Sequence, residues 1–145
     1  MKKIVLILLV SLSLFSFSQN NLDQTLVGNH YLSVQWISWD YFGTAKIEKS
    51  KKTNTYTIEG HQNSKENSDF LKIKGTITPA SAKHLIFNGT IETQVDFINN
   101  GQPCIREGEF NFKVKGNRKY WRLQEMNNPC SEVTDYIDIY FIQKK

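Results

Sequence analysis

The stretch Leu85-x-Phe87-x-Gly89-x-Ile91 carries apolar residues and one glycine at every second position. This period of two predicts a half-buried β-strand whose inner face holds the glycine. Glycine weakens a strand interior, but repeated on one inner face it lets a sheet coil and close into a barrel. The same phase recurs in three further segments, Tyr56-x-Ile58-x-Gly60, Leu71-x-Ile73-x-Gly75 and Gly108-x-Phe110-x-Phe112-x-Val114.

Eight strand-like segments follow one another with short connections, and no convincing helix lies among them. Sequential antiparallel pairing of so many strands favours an up-and-down barrel over a sandwich. The predicted fold is therefore an all-β, eight-stranded antiparallel barrel. Its strands are expected at Gly28–Trp39, Phe42–Lys49, Asn54–Gln62, Asp69–Thr78, Lys83–Ile98, Cys104–Gly116, Lys119–Met126 and Val133–Ile142.

Turn residues predict how three of the hairpins pair. Asp40-Tyr41, Asn100-Gly101 and Asn117-Arg118 are each expected to form a two-residue turn. In the second hairpin an inward phenylalanine would then cover the glycine opposite it. The predicted pairs are Val34 with Ile47 and Trp36 with Ala45, then Phe87 with Val114, Gly89 with Phe112 and Ile91 with Phe110, and finally Phe112 with Leu123 and Val114 with Trp121.

The segment Leu26-Val27-Gly28-Asn29-His30-Tyr31-Leu32 resembles the opening strand of the lipocalin-like (calycin) barrels, in which a glycine precedes an aromatic residue. The aromatic residue lies one place later here than in the usual Gly-x-Trp pattern. The resemblance implies a barrel with an open mouth at one end and an N-terminal segment closing the other. It concerns the fold rather than the function, because one fold can serve many functions.

The N-terminus has the features of a secretory signal. Lys2 and Lys3 precede the apolar run Ile4–Phe15, and Ser16-Phe17-Ser18 supplies small residues before the expected cut. Residues 1–18 are thus predicted to be a signal peptide and residues 19–145 a single β-barrel domain. The apolar run is shorter than the roughly 20 residues of a spanning helix, so no membrane span is expected. The ending of this segment resembles exported proteins of Bacteroidota, which implies a periplasmic or extracellular protein.

The two cysteines, Cys104 and Cys130, suggest one disulfide in an exported chain. Hairpin pairing supports this, because continuing the register across Asn117-Arg118 brings Cys104 opposite Ser131. A register shifted by one residue would bring it opposite Pro129, again next to Cys130. Free thiols or a redox pair are the weaker alternative, since the spacing is not Cys-x-x-Cys.

Catalysis and large polyanionic partners are poorly supported by the sequence. The net charge of +4 falls to +2 without Lys2 and Lys3, and the remaining lysines are scattered or lie in the Lys49–Lys52 loop, so no nucleic-acid partner is expected. The histidines fall on separate strands, which argues against a metal site. Neither a phosphate-cradling loop nor a nucleophile elbow is present, so the prediction is a non-enzyme without a cofactor.

Polar residues on the inner face near the mouth suggest a binding site. A buried Arg106 opposite Glu125 would first of all be a structural ion pair. The functional alternative is that Arg106 binds the anionic or polar head of a small, apolar or amphiphilic ligand. The predicted function is therefore non-catalytic binding of such a ligand in the mouth. The predicted contacts are Arg106, Glu125, Trp36, Thr93, Phe97 and Phe110.

An alternative function uses the outer surface. Ile37, Trp39 and Phe42 share an outward face beside the first turn, and Tyr41 lies at its tip. Outward aromatic residues can anchor a protein or a glycan. Coverage of these residues by segment 20–27 or by a neighbouring loop would instead leave them a structural role.

Overall fold

Eight antiparallel strands pair in chain order, and the last pairs with the first, which closes the barrel. The computed structural model describes residues 21–141, so the predicted signal peptide 1–18 lies outside the described residues. The predicted fold class and strand number are confirmed. The strands are β1 Gly28–Val34, β2 Gly43–Lys49, β3 Tyr56–Asn63, β4 Phe70–Ser81, β5 His84–Gln94, β6 Cys104–Lys113, β7 Tyr120–Leu123 and β8 Ile137–Tyr140.

Glycines on the inner face allow β2 to β5 to approach closely. A Cβ atom added at Gly60 would lie 2.6 Å from the Cβ of Ala45 on β2. Gly75 and Gly89 are direct partners, and a Cβ on either would lie within 2.8 Å of the Phe87 ring. The positions thus require glycine because neighbouring backbone and one aromatic ring occupy the space.

Inward side chains pack into one hydrophobic cluster that runs through the barrel. Trp121, Phe87 and Phe112 are the largest fully buried side chains. The rings of Phe112 and Phe87 pack in a T-shaped arrangement with centroids 6.0 Å apart, a favourable aromatic geometry. The same period of two that predicted the strands therefore also predicted the core.

A short helix over residues 21–26, which the sequence analysis did not predict, covers the end opposite the mouth. Leu26 is fully buried in the core cluster, and its carbonyl lies 2.7 Å from Nε2 of His30. Asp23 accepts hydrogen bonds from Lys49 and from the Tyr56 hydroxyl. The N-terminal segment therefore closes this end, as the lipocalin-like resemblance implied.

The predicted register of the first hairpin is wrong. β1 ends at Val34, so Ile47 pairs with Gly28 and Ala45 pairs with His30. The Val34 amide donates to the Gln62 side chain rather than extending the ladder. The connection is therefore a loop over residues 35–42, which places Trp36 at the mouth and not on a strand.

A serine explains part of this difference. The Ser38 hydroxyl accepts hydrogen bonds from the Asp40 and Tyr41 amides at 2.9 and 3.3 Å. Such side-chain bonds offer the backbone an alternative to strand pairing. Asp40-Tyr41 therefore lies within a larger loop instead of forming a two-residue turn.

The predicted register between β5 and β6 is also wrong, by four residues. Phe87 pairs with Phe110, and Gly89 pairs with Gly108 rather than with Phe112. Asn99, Asn100 and Gly101 all adopt positive φ and form a 3-10 turn within a longer connection. The turn signal was real, but three consecutive left-handed residues do not fit a two-residue hairpin.

The pairing predicted across Asn117-Arg118 is confirmed. Phe112 lies opposite Leu123, and the next pair is Lys113 with Arg122. The predicted disulfide is also confirmed, since Cys104 and Cys130 are bonded with their Cα atoms 5.9 Å apart. The disulfide joins the start of β6 to the loop before β8, at the mouth end.

Candidate functional site

The mouth is filled by a hydrogen-bonded network centred on Asp135. This carboxylate is almost fully buried and accepts from Trp36 Nε1 at 2.8 Å and from Asn128 Nδ2 at 3.0 Å. Arg106 Nη2 donates to the same carboxylate and forms a salt bridge with it. Two charges taken out of water remain tolerable only when paired and hydrogen-bonded in this way.

Arg106 does form the expected buried ion pair, but its partner is Asp135 and not Glu125. Glu125 contributes its backbone carbonyl, which accepts from Arg106 Nη1 at 2.5 Å. The Glu125 carboxylate instead accepts from the Asn111 backbone amide and side-chain amide at 3.0 and 2.8 Å. The ion pair at the mouth therefore joins β6 to the segment before β8.

Asp135 was missed in the sequence although a signal for it exists. It shares the alternating phase of Ile137 and Ile139, which are both buried. A carboxylate on the inner phase of a strand needs a buried cation nearby, because an unpaired buried charge is very costly. Extending the inward phase of the last strand by one step would have identified the partner of Arg106.

The barrel wall is weakly paired between β6 and β7. β6 spans ten residues, yet only Phe112 and Lys113 pair with β7 in the described chain. Nearer the mouth the two sides are joined by side chains and by the disulfide. A cleft of about 330 Å³ lies between the two β6–β7 backbone pairs and the links near the mouth. This seam cleft is lined by Ile105, Arg106, Glu107, Phe110, Glu125, Asn127 and Pro129.

Gly108 lies in the part of β6 that does not pair with β7, and this unpaired junction between the two strands is the seam. Its φ of +133° is a conformation that residues with side chains rarely adopt, and a Cβ there would contact nothing within 4 Å. The inner-face glycines of β3, β4 and β5 are surrounded by atoms, whereas Gly108 borders open space. At the seam the glycine therefore leaves empty space, whereas the other inner-face glycines allow neighbouring strands to pack tightly.

The six predicted ligand contacts divide between two places. Arg106, Phe110 and Glu125 line the seam cleft. The other three lie at the mouth, where Trp36 meets Phe97 edge-on at 5.9 Å and Thr93 pairs with Cys104 on β6. Phe97 is 68% exposed and Thr93 is buried.

The four predicted surface residues also separate. Trp39 is 60% exposed and Phe42 is 37% exposed, so both are available on the surface. Ile37 packs against the core cluster, and Tyr41 is half-buried. The Tyr41 hydroxyl accepts from the Lys65 amide, which ties the loop over residues 35–42 to the next mouth loop.

Phe42 belongs to an outer aromatic band, a group of neighbouring rings that was not predicted from the sequence. Its ring stacks on Tyr140 at 4.8 Å and contacts Tyr31 at 5.9 Å, while Tyr140 contacts Tyr120 at 5.3 Å. The rings come from or border β1, β2, β7 and β8, so barrel closure is needed to bring them together. The outer aromatic band comprises Tyr31, Phe42, Tyr120, Tyr136 and Tyr140.

An ion pair lies against this band. Arg122 donates to both carboxylate oxygens of Asp138 at 2.7 and 2.8 Å, and this hydrogen bonding raises the pKa of Arg122. Its guanidinium also lies 4.4 Å from the Tyr136 ring centroid and 5.0 Å from that of Tyr120. Burial raises the pKa of Tyr140, so its hydroxyl stays protonated across physiological pH.

A larger groove of about 580 Å³ lies on the outer face of β3, β4 and β5. Its lining includes Glu59 and Lys74, which form an exposed ion pair at 3.7 Å. Long charged side chains that alternate along the outer face of a sheet are usually solvated. The groove therefore adds little to a functional argument.

His30, His84 and the two cysteines are engaged in structural contacts. Both ring nitrogens of His30 lie 2.7 Å from backbone carbonyls, those of Tyr140 and Leu26. His84 Nε2 lies 2.8 Å from the Asn111 side-chain oxygen. Within residues 21–141 no group of three or more potential ligands could hold a metal ion. In the same range no helix has the length and apolarity of a membrane-spanning segment.

The fold, with its disulfide and its seam cleft, defines a small up-and-down β-barrel protein. The chain belongs to the PM1083 family, whose model matches residues 16–141. It is 41% identical over 122 residues to the uncharacterized protein PM1083 of Pasteurella multocida (strain Pm70), an alignment that covers 84% of this chain and 77% of that protein. No solved structure matches the chain significantly, so the likeness to lipocalins is one of topology alone.

Proposed function

We propose that this protein is a non-catalytic binding protein that holds a small, partly apolar ligand in the seam cleft. The cleft itself carries the proposal, because it brings together Arg106, Phe110 and Glu125 from two separate parts of the chain. The barrel interior is a less suitable site, since Phe87, Phe112 and other large side chains fill it. The proposal therefore moves the ligand from the centre of the mouth to the side of the barrel.

The lining of the cleft suits a ligand that is apolar on one side. Ile105 is 57% exposed, so its side chain presents apolar surface that a ligand would remove from water. Each Å² of apolar surface so buried contributes about 25 cal/mol. Arg106 is already held by Asp135 and by the Glu125 carbonyl, which keeps the floor of the cleft rigid. Such preorganisation lowers the entropy lost on binding.

Native mass spectrometry of protein purified from its own host tests for a bound ligand. A matched pair of variants then locates it. Ile105→Asn should lose the ligand, whereas Phe97→Asn should keep it, because Phe97 is exposed at the mouth and does not line the seam cleft. Retention in Ile105→Asn and loss in Phe97→Asn would place the ligand at the mouth and contradict the seam assignment.

Export is part of the same proposal. The Cys104–Cys130 disulfide is typical of oxidising compartments such as the periplasm or the extracellular medium. Fractionation of the native host, with mass measurement of the purified chain, tests this. We expect a chain shortened by about the predicted signal segment 1–18, recovered outside the cytoplasm. Full-length protein confined to the cytoplasm would refute it.

A second candidate function is that of a surface interaction module for a protein or a glycan. The 60% exposure of Trp39, a side chain that often anchors interfaces, favours it. Phe42 and the rest of the outer aromatic band extend the apolar surface. Trp39→Ala should weaken partner binding by more than about 2 kcal/mol, whereas the control Thr78→Ala, exposed on β4 away from this surface, should not. A folded Trp39→Ala protein with full affinity would eliminate this candidate.

A further inference from the structure

We infer that the ligand of the seam cleft is an amphiphilic cation, with an ammonium group attached to a short apolar chain. The inference rests on the proposed function, since it names the chemical class of ligand for the same cleft. It also reverses the charge first expected from the sequence, where Arg106 was predicted to attract an anionic or polar head. The reversal follows from the partners that each charged side chain has in the structure.

The positive charge of Arg106 is already neutralised. Its side chain is 4% exposed and that of Asp135 is 1% exposed, so the two form a compact buried pair. A second nitrogen of the guanidinium donates to the Glu125 carbonyl. An anionic ligand at this point would meet the Asp135 carboxylate as well as the arginine. The pair therefore offers little net attraction for an anion.

The remaining charges of the cleft are negative. Apart from the paired Arg106, the lining residues are apolar, amide-bearing or acidic, and the acids are Glu107 and Glu125. Both glutamates are exposed, so a ligand can reach each carboxylate. An ammonium group has three donors and no acceptor, which suits carboxylate partners.

Glu125 is fixed in place before any ligand arrives. Its carboxylate accepts from the backbone amide and the side-chain amide of Asn111, with three contacts between 2.8 and 3.2 Å. Two amide donors use only part of the acceptor capacity of a carboxylate, which has about four lone-pair sites. The oxygen atoms are thus held in position and still able to accept from an ammonium group.

The apolar side of the cleft indicates the character and size of the ligand beyond its ammonium group. Ile105, Phe110 and Pro129 supply hydrocarbon and ring surface beside the carboxylates. A volume of about 330 Å³ lies at the lower end of the range for ligand sites, so the ligand is small. The Phe110 ring adds a further feature that favours a cation over an anion.

A matched series of probes tests the charge. n-Hexylammonium, n-hexanol and n-hexanoate have the same apolar chain and differ only in the head group. Amide chemical shifts of the full protein are followed by NMR at pH 7 and low salt, with Gly108 as the reporter within the seam. We expect n-hexylammonium to bind about tenfold more tightly than n-hexanol, because two exposed carboxylates each contribute a few-fold. n-Hexanoate should bind more weakly than n-hexanol.

Charge-neutral variants then identify the carboxylates. Glu107→Gln and Glu125→Gln should each weaken n-hexylammonium binding by about threefold and leave n-hexanol unaffected. Glu109→Gln is the control, since Glu109 lies on the same strand but does not line the cleft. Added salt should reduce the preference for the cation, because exposed charges are screened.

The outcomes separate this inference from the proposed function. If all three probes shift the cleft amides with equal affinity, the cleft binds ligands and the preference for a cation is wrong. Tightest binding of n-hexanoate would overturn the inference in the same way. If no probe shifts amides along β6 and the segment around residue 125, the seam cleft is not a ligand site and both proposals fail.

Discussion

The two halves of the barrel wall are built differently. β4 and β5 span twelve and eleven residues and pair over nearly their whole length. β7 and β8 span four residues each, and β7 pairs with β6 at only two positions. The long half is held by the backbone ladder and by tight packing around glycines, and its outer face is solvated.

The short half depends on side chains for closure. The disulfide and the Arg106–Asp135 pair join β6 to the segment before β8, and Arg122 pairs with Asp138 across β7 and β8. Each of these links joins residues that are far apart in the sequence. The comparison indicates that two strands of a barrel can be joined with little backbone pairing when the buried charges between them are paired and hydrogen-bonded. It also explains why the cleft opens in this half.

Removing Asp135 is the most direct way to break the short half. Asp135→Ala leaves the charge of Arg106 buried without a carboxylate, which typically costs about 3–5 kcal/mol. Urea denaturation should therefore show a loss of that size in the free energy of unfolding. The matched control in the long half is Glu59→Ala, which removes an exposed pair and should cost less than about 1 kcal/mol. Equal losses in the two variants would contradict the comparison.

The disulfide is expected to contribute slightly less. Cys104 and Cys130 are 26 residues apart, and closing a loop of that size stabilises a fold by about 3.5 kcal/mol in the chain-entropy model. The double variant Cys104→Ser/Cys130→Ser should lose this amount in urea denaturation. Wild-type protein treated with a reductant is the control and should unfold at nearly the same midpoint as the variant. An unchanged midpoint in both would show that the disulfide does not stabilise the seam.

The long half should be sensitive to added volume. Gly75→Ala places a Cβ 2.3 Å from the Asn88 carbonyl oxygen and 2.7 Å from the Phe87 ring. Overpacking of this kind typically costs about 1–3 kcal/mol, which thermal or urea unfolding would detect. Thr78→Ala on the exposed face of the same strand should change stability by no more than about 0.5 kcal/mol. A Gly75→Ala protein as stable as wild type would mean that β4 and β5 can separate freely.

The smallest effect is expected at the closed end, outside both halves. Burial would raise the pKa of Asp23, but hydrogen bonds from Lys49 and Tyr56 outweigh it and lower the pKa below 3.8. Because the folded-state pKa is lowered, Asp23 stabilises the fold above its unfolded pKa, and this contribution disappears as the pH falls through the folded-state pKa. The acid loss of stability should therefore be smaller in Asp23→Asn. If wild type and Asp23→Asn lose stability equally as the pH falls, the proposed contribution of Asp23 is refuted.

The same cluster has an alkaline counterpart. A hydrogen bond to Asp23 is the main cause that raises the pKa of Lys49, and burial opposes it. A raised pKa means that the contribution of Lys49 is complete below its unfolded pKa and disappears as the pH rises through the folded value. Unfolding measured from pH 9 upwards should show a loss that is absent in Lys49→Met.

The fold could be predicted from the sequence where the signals were local. The alternation around Phe87 and Phe112 and the inner-face glycines identified eight strands and their buried faces. The Asn117-Arg118 turn also gave the correct β6–β7 register and placed Cys104 near Cys130. In each case the deciding residues lie within one strand or one short turn.

The errors occur where side-chain hydrogen bonds or an unusual backbone conformation replace the simplest two-residue turn. The first hairpin failed because Gln62 takes the Val34 amide and Ser38 holds the loop. The β5–β6 hairpin failed because its connection contains three residues with positive φ. For the candidate site, Arg106, Phe110 and Glu125 line one cleft, whereas the predicted partner of Arg106 was wrong, since it pairs with Asp135.

The sequence by itself determined the barrel, its core residues and the disulfide pair, because period-two alternation and hairpin closure act over short distances along the chain. Tertiary structure alone decided that Asp135 neutralises Arg106, that Phe42 meets Tyr140 and that the seam stays partly open. These features depend on how segments far apart in the sequence meet, and the register of β1 against β8 is one such arrangement. That register is set by the combined packing and hydrogen bonding of the whole barrel, which no single stretch of sequence contains.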